Sequence, residues 1–451
     1  MSRVRDGEAQ PRHDLRGAPL RRAVIAFTAF MGGLIFVFLA GASTAWAAEG
    51  EEVRGTLRIQ GQPVEGVKIT VATDADAPVG EATTGRDGTW KVAVDKAGSY
   101  KVTLDQATLP AGKALRDPNR GTLTVQVFEG NARNVLFGLV DANAPPQGQQ
   151  GDGGGGSSYW TRVAQLVFEG LNLGLIIALG AVGLSLIFGT TGLTNFAHGE
   201  LLTIGAFLAF FFNTVLGLHL LIAAPIALVI AAGFGWGQDR FFWGQLRRRK
   251  TGLISMMIIS IGLALFLRAL LLFLFGGGGE SYDQYVAQAG IQIGPISATP
   301  KSLVAMGIEI VVLIAVGLAL TYTRLGKATR AVADNPALAS SSGINVDRVI
   351  RLVWASGTCI AALAGILLGT TQNLNFQMGQ QVLLLMFAGV TLGGLGTAFG
   401  ALVGSLVVGM FVQVSTLWIP PEMKTIGALV VLIIVLMVRP QGILGRRERI
   451  G

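Results

Sequence analysis

The sequence predicts an all-α bundle that crosses a membrane several times, preceded by a small all-β sandwich. Repeated apolar runs after Tyr159 match the ~20 residues that a helix needs to cross a bilayer. Charged residues make up only 14% of the 451 residues, whereas soluble domains carry about 25%. Short segments before residue 142 alternate apolar and polar side chains, which is the pattern of half-buried strands.

The first 47 residues have the organisation of a secretory signal peptide. A polar, arginine-rich stretch ends at Arg22, an apolar stretch follows over 23–42, and Ala45-Trp46-Ala47 supplies a small-residue site. This order is the pattern for export and cleavage, here after Ala47. The apolar stretch is slightly long, so an uncleaved signal anchor is the alternative. Either form places the following residues on the exported side of the membrane.

Residues 49–141 are expected to form the β-sandwich. Strand-like alternation with turn signals between the segments occurs at 56–59, 67–71, 90–94, 100–104 and 123–127. The phrases GQPVEGVKITV, TGRDGTWKVAV and GSYKVTL resemble those of carboxypeptidase regulatory-like sandwich domains. They contain no catalytic grouping, so we expect a docking or spacer role, with ligand binding as the alternative. Residues 142–158 are rich in Gly, Pro and Gln, which predicts a flexible linker.

Residues 159–451 form the predicted membrane domain of about eight spans. The expected spans lie near 166–188, 198–217, 219–236, 253–275, 302–322, 351–369 and 424–438, with a longer apolar region at 382–417. Basic residues cluster at 240–250, 324–351 and 439–449, and the positive-inside rule assigns such clusters to the cytoplasm. The region 382–417 is too long for one span. We expect an odd number of crossings there, with a helix broken or re-entering at its glycine run.

A polar segment, GTTGLTNFAHGE, interrupts the apolar runs at 189–200. Asn195, His198 and Glu200 carry strong hydrogen-bonding groups, and a buried charge without a partner is costly. These side chains therefore line a wet cavity or fix a helix break, or else they lie in a short interfacial loop that faces water. Arg268 lies inside the apolar run LALFLRALLLFLF. It either faces the bundle interior or snorkels to an interface. These four residues are the candidates for a translocation path.

The cytoplasmic loop after Tyr322 carries the signals of a short helix. Asn335 can cap its start, Pro336 suits its first position, and Gly343 suits the position beyond its end. A helix of about seven residues is not stable alone and must pack on a neighbour. It is either an ordinary loop helix or a docking helix for a cytoplasmic partner.

Three segments resemble one family, and they occur in that family's order. GLTNFAHGELLTIGAF, GKATRAVADNPALASSSGINVDRVIRLVWASGTCIAALAGILLG and VLMVRPQGILGR are similar to the branched-chain amino acid ABC importer permeases of the high-affinity leucine type and to their urea-importer relatives. The likeness runs from about Leu166 to the C-terminus and does not include the sandwich.

The resemblance implies a place in a bacterial cytoplasmic (inner) membrane as a multi-pass permease. It implies as partners nucleotide-binding ATPase subunits, a second homologous permease and an extracytoplasmic substrate-binding protein. It also implies that the segment coupling the permease to the ATPase comprises Ala333, Asp334, Asn335, Pro336, Ala337, Leu338, Ala339 and Gly343. The implied substrates are branched-chain amino acids or small amides such as urea, and the sequence does not distinguish them.

Other function classes lack their motifs. Gly326-Lys327 and Gly112-Lys113 are each followed by Ala, so neither ends in the GK[ST] of a phosphate-binding loop. ATP hydrolysis is therefore expected on a separate subunit. The three histidines are dispersed and the single cysteine, Cys359, lies in an apolar run. No enzyme, cofactor or metal site is expected.

The basic clusters are interpreted as topology signals, so membrane lipid, and not nucleic acid, is an expected partner. The main alternative is a passive channel or secondary transporter for a small polar solute, which would not need a docking helix. A membrane-anchored interaction protein is the third interpretation, but it does not explain so many apolar spans with internal polar breaks.

Overall fold

In a computed structural model of the chain, the described residues fall into two ranges. They are 52–141, with gaps at 60–61, 97, 116–120, 128–131 and 136, and 159–420, with gaps at 278, 283 and 285–289, together with isolated residues between 423 and 443. The predicted signal segment, the predicted linker and most of the span predicted at 424–438 lie outside the described residues.

The first range forms β-sheets around one apolar core. Its strands are β1 (Glu52–Thr56), β2 (Arg58–Ile59), β3 (Gln62–Pro63), β4 (Lys68–Thr73), β5 (Pro78–Thr83), β6 (Thr89–Ala93), β7 (Gly98–Leu104), β8 (Lys113–Leu115), β9 (Thr122–Val127), β10 (Ala132–Val135) and β11 (Leu139–Asp141). One sheet is antiparallel with the order β5-β4-β7-β9, and another has the order β10-β1-β6. Val53 and Val92 from the second sheet share a core with Ile69, Val71 and Val102 from the first. The predicted all-β unit is confirmed.

The strands differ from the sequence prediction in two ways. The segment predicted at 56–59 is divided between β1 and β2, because Leu57 is fully buried and its N–H donates to the carbonyl oxygen of Gly88 at 2.8 Å. Strands β3, β5, β8, β10 and β11 were not predicted. The longest of them, β5, has the sequence PVGEAT, which lacks clean alternation, and none of its residues is buried. Antiparallel pairing with β4 holds it in place.

The second range is helical, as predicted. In chain order its helices are α1 (Tyr159–Thr191), α2 (His198–Val215), α3 (Leu220–Arg248), α4 (Leu253–Phe275), α5 (Pro300–Tyr322), α6 (Arg324–Asp334), α7 (Pro336–Ser341), α8 (Val346–Thr371), α9 (Met378–Gly393) and α10 (Ala398–Leu417). Among the described residues, seven helices are long and apolar enough to cross a membrane; α6, α7 and α9 are shorter. A small hairpin, β12 (Ile291–Ile293) and β13 (Ile296–Ala298), precedes α5.

Helices α9 and α10 show the path of the chain through 382–417. The chain breaks after Gly393 and reverses, so that Gly389 lies opposite Ser405 and Gly393 lies opposite Gly400. The region therefore holds two antiparallel helices with a break at the glycine run, of which α10 is long enough to cross a membrane and α9 is shorter. The expected odd number of crossings does not follow from the positive-inside rule. Two single spans at 351–369 and 424–438 already make an even number between two cytoplasmic clusters.

Glycines bring α1 close to its neighbours. A Cβ added to Gly183 would lie 2.7 Å from the carbonyl oxygen of Gly357 in α8, and one added to Gly174 would lie 3.1 Å from the Cα of Leu406 in α10. Contacts this short leave no room for a side chain. The backbones therefore approach as closely as small residues in membrane helices allow.

Candidate functional site

The polar segment before α2 lies inside the bundle, alongside α4. Gly192 faces the side chain of Leu253, the first residue of α4, and the N–H of Phe196 donates to Ser260 Oγ at 3.1 Å. Ser260 lies about 10 Å along α4, at a rise of about 1.5 Å per residue. Helix α2 therefore begins well inside the bundle and not at its surface. It then runs in the same direction as α4, since Phe207 packs against Phe275 with ring centroids 4.4 Å apart.

An ion pair joins α2 to α4 in this buried region. Arg268 donates to Glu200 Oε1 through Nη2 at 2.7 Å and through Nε at 3.2 Å. Glu200 is fully buried, and the Arg268 side chain is 17% exposed. Arg268 therefore turns inward to a carboxylate, and the snorkelling alternative does not apply. Glu200 Oε2 has no hydrogen-bond partner among the described residues.

Asn195 and His198 fix the start of α2. Asn195 Oδ1 accepts from the N–H of Ala197 at 3.1 Å, and the Asn195 carbonyl accepts from the N–H of His198 at 3.2 Å. His198 Nε2 lies 3.0 Å from the carbonyl oxygen of Gly180 in α1. Because a carbonyl only accepts, this ring nitrogen carries the proton. Both side chains are buried, so the segment is not a loop that faces water.

A second helix break lies next to the first. The turn between α9 and α10 approaches α1, where a Cβ on Gly189 would lie 3.0 Å from the carbonyl oxygen of Gly396. Phe196, from the segment before α2, packs against Phe387 of α9 with centroids 5.1 Å apart. Broken helices are tolerated at membrane depth where they are buried in protein or line a cavity. The two breaks and the Glu200–Arg268 pair together form the polar interior of the bundle.

Two further polar side chains are buried in the bundle and were missed in the sequence. Glu309 of α5 is fully buried, and neither carboxyl oxygen has a partner in the part of the chain that the structure describes. Glu309 could have been identified in the sequence. Like Arg268, it is an ionisable residue inside an apolar run, MGIEIVVL, and such residues are candidates for a functional site. The hydroxyl of Tyr282, in the α4–α5 connection, donates to the carbonyl oxygen of Ala206 at 3.2 Å. Burial raises the pKa of this phenol, which keeps it protonated as a donor.

The predicted short helix of the cytoplasmic loop is present as α7. Asn335 Oδ1 accepts from the N–H of Leu338 at 3.0 Å, Pro336 occupies the first turn, and Gly343 has a positive φ of 83°. Ala339 is buried, whereas Leu338 is 65% exposed. The helix thus has one side that packs against the rest of the protein and one that is exposed.

The first two residues of the predicted coupling segment lie in a different helix from the rest. Ala333 and Asp334 belong to α6, and the chain leaves the helical conformation at Asn335. The range 333–343 is therefore not one helix, because the Asn335 cap and Pro336 interrupt it. Within the described residues, no group of three or more His, Cys, Asp or Glu side chains could hold a metal ion.

A polytopic helical bundle with breaks and an ion pair at membrane depth defines a membrane transport protein. The family model described as branched-chain amino acid transport system / permease component matches residues 166–436. The chain belongs to this family of permeases. It is a multi-pass membrane protein with an added N-terminal β region, which lies outside the matched residues.

Individual relatives agree with this assignment. The high-affinity branched-chain amino acid transport system permease proteins LivH of Salmonella typhimurium and of Escherichia coli are each 32% identical over 298 residues, covering 63% of this chain and 96% of theirs. BraD of Pseudomonas aeruginosa, described in the same words, is 31% identical over 300 residues with the same coverage. These relatives are transport permeases and not enzymes.

Proposed function

We propose that this chain is the transmembrane permease subunit of an ATP-driven ABC importer for branched-chain amino acids or related small amides. The names of its relatives support a branched-chain amino acid substrate. Hydrolysis of ATP takes place on separate nucleotide-binding subunits, and a second homologous permease completes the membrane part. The assembly lies in the cytoplasmic membrane, and an extracytoplasmic binding protein delivers the substrate.

The observation that carries the proposal is the geometry of α7. Leu338 projects from a capped helix into open space, while the adjacent Ala339 is buried against the bundle. The N–H of Ile344 donates to the Ala339 carbonyl at 3.1 Å, and Asn345 then caps the start of α8 through the N–H of Arg348 at 2.9 Å. A force applied to α7 therefore reaches α8, which is long enough to span the membrane, through only the four residues 342–345. This supports α7 as the docking element for an ATPase.

The translocation path that we propose passes the two helix breaks. A branched-chain amino acid carries one ammonium and one carboxylate, the same two charges as the Glu200–Arg268 pair. Separation of Arg268 from Glu200 during the transport cycle would offer each charge of the substrate an opposite partner. Asn195 and His198 hold the start of α2 so that Glu200 faces α4.

The domain organisation remains part of the proposal. Residues 1–47 direct export, 49–141 form the sandwich on the exported face, 142–158 link it to the bundle, and 159–451 form the permease. The sandwich serves as a spacer or docking module for the delivering protein. A carboxypeptidase regulatory-like origin is supported by its sequence phrases only.

Substitution of Leu338 tests the proposal. We expect Leu338→Asp to abolish leucine uptake while the protein stays in the membrane at wild-type level, because a charge on the exposed face disrupts an apolar contact with the ATPase. Leu325→Asp is the matched control, since Leu325 is 43% exposed in the preceding helix α6. Undiminished uptake in Leu338→Asp, or equal loss in both variants, would argue against docking at α7. Uptake that persists without ATP would favour a passive channel or secondary transporter.

A further inference from the structure

A basic pocket opens between the end of α3 and the start of α8, on the side of the bundle that carries the basic clusters. Three arginines dominate its lining, which consists of Trp236, Arg248, Asn345, Asp347, Arg348, Arg351 and Leu352. The proposed path uses none of these side chains, and the proposed coupling from α7 uses only the Asn345 cap.

The pocket has an excess of positive charge. Its one acid, Asp347, lies 3.5 Å from Arg248, and both side chains are about half exposed. Arg351 lies 3.9 Å from the buried Asp239 behind the pocket, but Asp239 already accepts from Arg247 at 2.7 Å. The side chain of Arg348 has no ion-pair partner among the described residues. The three pocket arginines therefore face one acid in the pocket, Asp347, and a second acid, Asp239, that is already paired with Arg247.

An apolar stripe leads from this pocket along the outside of α3. Ile222, Val229 and Trp236 are 56%, 73% and 42% exposed. Because they are seven residues apart, they lie on one face of the helix, two turns from one to the next. Trp236 joins the stripe to the pocket, since the Arg351 guanidinium stacks over its ring at 5.7 Å from the centroid. Leu352 adds a further apolar wall.

We propose that the pocket binds the headgroup phosphate of an anionic glycerophospholipid from the cytoplasmic leaflet, with an acyl chain along the Ile222–Val229–Trp236 stripe. Arginine guanidinium groups match phosphate oxygens in geometry and charge. Basic pockets between helices on the cytoplasmic side of a membrane suit such headgroups. An acidic protein segment would match the charge but would leave the stripe uncovered, so the observations favour the lipid.

The test counts lipids on the purified full-length protein by native mass spectrometry. The probes are phosphatidylglycerol and phosphatidylcholine of equal chain length, with inorganic phosphate as a competitor. We expect retention of one phosphatidylglycerol in preference to phosphatidylcholine. The double variant Arg248→Gln/Arg348→Gln should weaken this binding by about 30-fold. Both arginines are exposed, so their loss leaves no buried charge without a partner.

The control is Arg249→Gln/Arg324→Gln, which removes the same charge from exposed positions outside the pocket lining. It should keep wild-type binding of phosphatidylglycerol. Equal retention of the two lipids, equal loss in the control variant, or displacement of the lipid by inorganic phosphate alone would overturn the proposal.

Discussion

Arg268 donates two hydrogen bonds to a single carboxylate oxygen of Glu200, a residue 68 positions earlier in the chain. The pair ties α2, which starts inside the bundle, to α4, which spans it. Glu200 is fully buried and Arg268 is only 17% exposed, and charges inside membrane proteins commonly pair with one another. The ion pair therefore stabilises the packing of α2 against α4. In our proposal it is also a part of the translocation path.

Variants that remove one charge or both charges distinguish a structural role of the pair from a role in transport. Arg268→Leu leaves Glu200 buried without a counter-charge, so we expect the free energy of unfolding to fall by about 3–5 kcal/mol. Glu200→Leu/Arg268→Leu removes both charges and should recover most of that loss, yet leucine uptake should stay absent. Thermal unfolding of the purified protein and uptake in cells check the two expectations. Full uptake by the double variant would show that the pair has a structural role only.

Substitution of Glu309, unlike that of Arg268, should have little effect on stability or uptake. Glu309 is buried, and neither of its carboxyl oxygens has a partner among the described residues, so its replacement by an amide breaks no ion pair there. We expect Glu309→Gln to change the unfolding free energy by less than about 1 kcal/mol and to leave uptake intact, because the amide keeps the size and the polarity of the side chain. The same thermal and uptake assays apply. A loss as large as that of Arg268→Leu would reveal a charged partner for Glu309 in the assembled transporter.

The α9–α10 hairpin depends on the absence of side chains at its glycines. A Cβ on Gly393 would collide with the backbone of Gly400, so Gly393→Ala should lower the unfolding free energy by about 1–3 kcal/mol. Gly307 in α5 has nothing within 4 Å of an added Cβ. Gly307→Ala should therefore be neutral or stabilise by about 0.5–1 kcal/mol. Similar effects of the two substitutions on the unfolding temperature would contradict the close packing.

The cap of α7 can be tested without disturbing the bundle. Asn335→Ala removes the acceptor for the N–H of Leu338, and loss of such a cap costs about 1 kcal/mol. We expect faster amide hydrogen exchange over 336–341 and unchanged exchange in the core of α8. Asn335→Asp keeps an acceptor oxygen and should retain the protection. Unchanged exchange in Asn335→Ala would mean that packing of Ala339 alone holds the helix.

The sequence predicted the class of fold because its signals are local. Apolar runs of bilayer length located the spans, and Asn335, Pro336 and Gly343 located a short helix whose bounds are 336–341. Period-two alternation likewise located strands β4, β6, β7 and β9 of the sandwich. Each of these signals arises from neighbouring residues, so one chain suffices to find it.

The partners of buried charges could not be predicted in the same way. Glu200 and Arg268 were each identified as candidates, but their pairing depends on α2 running beside α4 and starting partway along it. That arrangement depends on contacts such as Phe196 with Ser260, which no local pattern encodes. The path of the chain after the predicted break near Gly394 was left open for a related reason. A glycine run indicates a break, but only the facing helix shows in which direction the chain continues.

The most direct test of the central claim is affinity purification of the full chain from its native host in mild detergent, with mass spectrometry of the co-purifying proteins. We predict recovery of a nucleotide-binding ATPase and a second permease, and loss of the ATPase alone from the Leu338→Asp variant. A homo-oligomer that is stable across detergents and carries neither partner would contradict the importer and would leave α7 as an ordinary loop helix.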